Sequence, residues 1–305
     1  MNIFIHESEG RLRAGWRLLM QFVVAAIAGI SLWYPISWLG LGVEATGVLT
    51  NGVAIILSIA IIGRFVDRRK FTDFGLQTAD GWKRELWLGT ALGIAAMTGI
   101  WLVQWILGYI TFDGFGWERP SQSFWLMPIV GYMMLMIAVG FYEEYWTRGY
   151  QMKVLAEGMH VGALSPRVAV GISMALTSVF FGILHAGNPN ASTISIVNIS
   201  FAGIMLALPY VLTGRLWVSI GLHFSWNFFQ GAIFGFPVSG RPFRTSVIQS
   251  AQGGPDWFTG GAFGPEAGAV GMLAMVIMCV WMYVKFRPES LDANIDEMVA
   301  PPRDM

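Results

Sequence analysis

Charge is what this chain has least of. Only 12% of its 305 residues are Asp, Glu, Lys or Arg, against about 25% in a soluble domain, and that deficit excludes an ordinary water-facing surface. Lysines and arginines equal aspartates and glutamates at nineteen each, with no basic cluster interleaved with aromatics, so nothing points to a nucleic-acid partner. One cysteine, Cys279, excludes an intrachain disulfide and any paired-cysteine metal or redox motif, and its apolar setting reads as a buried small hydrophobe. There is no soluble domain and no repeat at a fixed period.

What is abundant is apolar length. Hydrophobic residues make up 55% of the chain and mean hydropathy is +0.56, a membrane composition. Apolar runs fall at about residues 18–39, 47–63, 86–110, from 124 onward, 168–186, 194–213, 216–235 and 267–284, each near the 20 residues that cross a hydrocarbon core. The first is longer than a signal-peptide core and reads as an uncleaved anchor. The expected fold is therefore all-α and polytopic, with about eight transmembrane helices. A cytoplasmic segment at 1–17 precedes a membrane domain at 18–285, and a cytoplasmic tail follows at 286–305. With the N-terminus inside, sixteen of the nineteen lysines and arginines lie on the inner side; the outer loops hold Arg119, Arg241 and Arg244, so both termini are expected in the cytoplasm. The Gly- and Pro-rich connection at 236–266 has no strong periodicity and reads as floppy or structural in preference to a lid or re-entrant piece.

Ionisable groups inside such runs are expensive, at about 2.5–3.5 kcal/mol each even on insertion scales, and so are functional or tightly paired. Phe141-Tyr142-Glu143-Glu144-Tyr145-Trp146-Thr147-Arg148 holds two carboxylates and an arginine. On a helix Glu144 and Arg148 share a face, while Glu143 is turned about 100° away and left free. His6 and His160 fall in polar segments and need no function, but His185 and His223 lie in apolar runs. Phe181 precedes His185 by four residues and can wall an apolar pocket beside it; Asn227 follows His223 by four and offers amide donors suited to an oxyanion. An antiparallel hairpin turning near Gly162 brings Glu144 level with His185. His223 lies about 12 Å along its helix from Arg215, so the three groups are expected to meet in a cavity open to the cytoplasm. Taken singly, each has a plainer reading as an interfacial charge or a helix-to-helix hydrogen bond.

In order, Glu-Glu-x-x-x-Arg, Phe-x-x-x-His and His-x-x-x-Asn resemble the CPBP family, the CAAX-processing type II and bacteriocin-processing intramembrane proteases, also called the abortive-infection family. The resemblance spans a motif core of about 125–235, and segments 11–17 and 71–76 look like flanking segments of bacterial members. It implies Glu143 as the carboxylate that activates water, Glu144 and Arg148 as its supporting pair, and His185, His223 and Asn227 completing the site. It implies a membrane-anchored protein or peptide substrate and, for a bacterial member, the inner membrane. The family has also been described as metallopeptidases, which leaves open either no cofactor or a single zinc ion on Glu143, His185 and His223; Asn227 on the face of His223 favours the metal-independent route. His-Glu-x-x-His, Gly-x-Ser-x-Gly and Gly-x-Gly-Asp are all absent. A proton-relay transporter or a non-catalytic immunity or scaffold protein would use the same residues differently, although the paired discontinuous helices of many transporters are not seen.

Overall fold

A computed structural model describes residues 3–6, 9–118, 125–160, 164–243, 245–286 and 291–302. The expected turn at Gly162, the span start at Phe124, and Arg119, Arg244, Arg287 and Arg303 lie outside the described residues. A two-residue hairpin, β1 (Ile5–His6) with β2 (Arg11–Leu12), leads into α1 (Ala14–Ser37), α2 (Val43–Phe65) and α3 (Trp82–Ile106). After β3 (Ile110–Phe115) comes α4 (Leu126–Glu144), continued without a break by a π-helical stretch (Tyr145–Met152) and α5 (Lys153–Met159). Next are α6 (Pro166–Leu184), α7 (Thr193–Thr213) and α8 (Trp217–Phe228), whose last turns are again π-helical (Phe229–Ile233). The chain closes with β4 (Ile248–Gln252), a short α9 (Asp256–Thr259), α10 (Ala269–Phe286) and α11 (Leu291–Val299).

The ends of these helices follow local chemistry. Pro166 opens α6 at its first turn, where the missing N–H costs nothing. Ser192 and Ser195 cap α7 reciprocally, each hydroxyl accepting the other's backbone N–H, and Gly214 stops it in the left-handed conformation at φ 72°. Inside, α3 lies directly on α8 because Gly89 and Gly93 present no side chain: a Cβ at Gly89 would stand 2.1 Å from the Val218 carbonyl oxygen. Apolar residues such as Ile30 on α1 and Ile106 on α3 point outward, as lipid-facing positions should.

Seven helices among the described residues are long and apolar enough to cross a membrane, with α4 through α5 counted as one. The chain is an all-α polytopic membrane protein. The expected eighth span, 216–235, is the shorter α8, and its His223, Leu222 and Trp226 are enclosed by the other helices. The third span ends at Ile106, since Ile110 already belongs to β3. Far from floppy, segment 236–266 is folded: β4 pairs antiparallel with β3, with a bulge between Phe112 and Gly114, and Glu266 at its end is buried.

Candidate active site

The glutamate pair ends α4 where the helix widens. Both carboxylates sit at the junction with the π-helical stretch, a departure from regular geometry that recurs at functional sites. Glu144 is 0% exposed and Arg148 1%. Arg148 Nη1 donates to Glu144 Oε1 at 2.9 Å and to Thr147 Oγ1 at 2.8 Å, and its guanidinium lies 4.2 Å from the Phe181 ring centre. The same Glu144 oxygen stands 2.8 Å from His223 Nδ1. A carboxylate only accepts, so Nδ1 carries the hydrogen, and Nε2 is turned toward Glu143 Oε2 at 3.9 Å.

Glu143 differs from its neighbour. Its side chain is 19% exposed and reaches the cavity, and Oε1 takes a long hydrogen bond from the Tyr142 hydroxyl at 3.3 Å; Oε2 has no hydrogen-bond partner, as is also true of Glu144 Oε2. Thr147 Oγ1 donates to the Glu143 carbonyl oxygen at 2.6 Å and pins the backbone there. His185, at the end of α6, bonds through Nδ1 to the Phe181 carbonyl oxygen at 2.8 Å, which leaves its Nε2 available. The Phe181 ring lies 4.7 Å from the His185 ring and 6.1 Å from that of His223, so it sits between both imidazoles and the guanidinium. Glu143, His185, His223, Asn227 and Phe181 all line one cavity of about 760 Å³. Glu144 and Arg148 sit behind that wall.

One expectation is corrected. The cavity was expected to open toward the end holding the termini, but that end is plugged. Below Glu143, Tyr145, Tyr150 and Met152 are wholly buried, and beneath them Arg17 pairs with Asp67 at 2.6 Å and with Glu157 at 3.0 Å. Arg69 and Arg11 also reach Glu157. The lining runs the other way, past Tyr132 on α4 and Trp33 on α1 to Glu44 and Arg241, which form an ion pair of 3.3 Å at the rim. Depth counted along single helices set the level of the residues, but the side on which space remains depends on which large side chains fill the gaps.

Among the described residues no group of three His, Cys, Asp or Glu is arranged to hold a metal ion, and no step below is routed through one. His6 and His160 stand at the terminus end, His160 Nδ1 meeting the Leu164 carbonyl oxygen at 3.1 Å.

Sequence reasoning missed Tyr142, Thr147 and the bond from His223 to Glu144. It also missed a second acidic group on the cavity wall. Glu266 accepts from the Ser239 backbone N–H and from Gln230 Nε2, and burial pushes its carboxyl up to about 7 against the pull of those donors. Its only sequence signal was a lone carboxylate just before an apolar run.

The arrangement is thus a carboxylate and two tautomer-fixed imidazoles walling a cavity inside the helical bundle of an integral membrane protein. Residues 124–229 match the family model described as Type II CAAX prenyl endopeptidase Rce1-like, and the matched segment is the one that carries the motifs. The matched stretch contains every motif residue from Glu143 to Asn227. No curated protein and no solved structure matches the chain.

Proposed function

We propose that this protein is an intramembrane endopeptidase that hydrolyses a peptide bond of a membrane-anchored protein or peptide, in the inner membrane of a bacterium. The observation that carries the reading is Glu143 Oε2, an unpartnered carboxylate oxygen on the cavity wall facing His223 Nε2 at 3.9 Å. Glu143 takes a proton from a water molecule as that water attacks the scissile carbonyl. In its protonated form His223, its Nδ1–H held by buried Glu144, turns Nε2–H toward the developing oxyanion, and the Asn227 amide faces the same oxygen. His185, with Nδ1–H tied to Phe181, presents Nε2 as an acceptor that orients the water. Glu143 then returns its proton to the leaving amine. Arg148 touches no reacting atom; it balances Glu144 and fixes Phe181.

The test is cleavage of membrane-anchored reporters by purified protein and by its Glu143→Gln variant. General-base catalysis contributes about 10²–10⁴-fold, and a loss of that size with unchanged thermal stability supports the role. Equal cleavage by the variant overturns it. Activity should also survive exhaustive chelation, since Glu143 itself takes the proton from water; activity that disappears and returns only with zinc would reverse the metal-independent assignment.

A further inference from the structure

We infer that the substrate reaches this site from the extracytoplasmic side of the membrane: an exported, membrane-anchored polypeptide whose scissile segment lies on the side opposite the chain termini. The inference rests on the peptidase reading for what happens to the substrate, but its geometry stands apart from it.

Three observations converge. The first is the plug. Under the glutamate pair the packing is continuous through Tyr145, Tyr150 and Met152, and Tyr150 Oη donates to Asp67 Oδ2 at 3.0 Å. The Arg17, Arg69 and Glu157 pairs then tie α1, the end of α2 and α5 together, and Arg69 also donates to the Ala300 carbonyl oxygen. A polypeptide arriving from that end would have to break buried ion pairs and leave their charges without partners.

The second is the direction of the open space. From Glu143 to Tyr132 the cavity follows α4 for eleven residues, about 16 Å at 1.5 Å per residue, and it ends at Glu44, Arg241 and Phe243. Those residues belong to the first turn of α2 and to the folded segment after α8. The β3–β4 pair lies at this same end, where the chain leaves α3. Glu44 and Arg241 are each about half exposed, so the rim is wet while Trp33, Ile55 and Leu135 keep the walls apolar. A wet rim over an apolar shaft suits a chain that is hydrophilic beyond the membrane and apolar within it.

The third is charge. Arg13, Arg64, Lys70, Arg84, Arg167 and Lys285 all belong to the plugged end, whereas Arg241 is the one lysine or arginine among the described residues at the open end. The positive-inside bias therefore assigns the plugged end to the cytoplasm and the mouth to the opposite side.

The experiment uses the full chain with Cys279→Ser as background, carrying either Glu44→Cys at the rim or Lys70→Cys at the plugged end. A membrane-impermeant maleimide is applied to intact and to permeabilised cells. The inference expects Glu44→Cys to react equally in both, and Lys70→Cys only after permeabilisation. The reverse pattern overturns it, as does reaction of both or of neither in intact cells. In parallel, one anchored reporter carries its cleavable segment outside and a second, of inverted topology, carries it inside. Cleavage confined to the outside reporter, and lost with Glu143→Gln, is expected. Cleavage of the inside reporter overturns the inference. Outside labelling of Glu44→Cys with no cleavage of either reporter would instead fault the peptidase reading and leave the orientation standing.

Discussion

At the residue scale, two adjacent glutamates are separated by what surrounds them. Glu144 is committed through Oε1 to Arg148 and His223, and Glu143 has one long hydrogen bond and lines the cavity. The difference predicts opposite phenotypes. Arg148→Ala leaves Glu144 as a buried charge with its main partner gone and should cost about 3–5 kcal/mol of stability, read as a fall in thermal midpoint in detergent. Glu143→Gln should leave that midpoint unchanged while activity collapses. Glu266 gives a third residue-level expectation. Its folded carboxyl, raised from 4.5 to about 7 by burial, holds a proton that the unfolded chain has already lost, so stability should fall as pH rises from about 4.5 to about 7 and level off above. The span corresponds to roughly 3 kcal/mol. Glu266→Gln should flatten that slope, and thermal midpoints across the pH range would check it. The one-face relation of Glu144 and Arg148 was legible in the sequence because it is local. The His223 bond to Glu144 was not, because it joins side chains 79 residues apart.

At the element scale, the π-helical stretch and the α3–α8 contact matter most. Spacing arguments assumed a regular helix through Arg148, and the pairing survived because residues four apart remain neighbours in the wider turn. Helix α8 is held level with the glutamates by the closeness of α3, where Gly89 admits no Cβ, whereas Gly99 on the same helix faces open space. Gly89→Ala should therefore destabilise by about 1–3 kcal/mol and reduce activity by shifting His223. Gly99→Ala should be neutral or stabilise by up to about 1 kcal/mol through helix propensity. Chemical denaturation of both variants tests the pair. The strand pairing of 110–115 with 248–252 escaped the sequence for a physical reason: each strand is short, one carries a bulge, and neither has a neighbour in sequence to pair with.

At the scale of the whole molecule, hydropathy announced the membrane and nearly every span, since lipid-facing helices must be apolar along their length. Helix α8 is apolar through burial in protein, and even with its π-helical turns it is shorter than the seven lipid-facing helices. The residues that the fold gathers at one cavity were conspicuous as well, since charge in an apolar run is costly. The direction of the cavity was not, because it depends on Tyr145, Tyr150 and Met152 filling one side of the glutamates while the other stays open. The molecule is thus closed by ion pairs at the termini and open through an apolar shaft at the other end, with a carboxylate where the two meet.

The central claim is that Glu143 activates water and does not itself attack the peptide. A single turnover in ¹⁸O-labelled water, followed by mass spectrometry of product and enzyme, tests it most directly. The account predicts ¹⁸O in the new C-terminal carboxylate of the cleaved reporter and none in Glu143; ¹⁸O appearing in the Glu143 side chain after that turnover would contradict it.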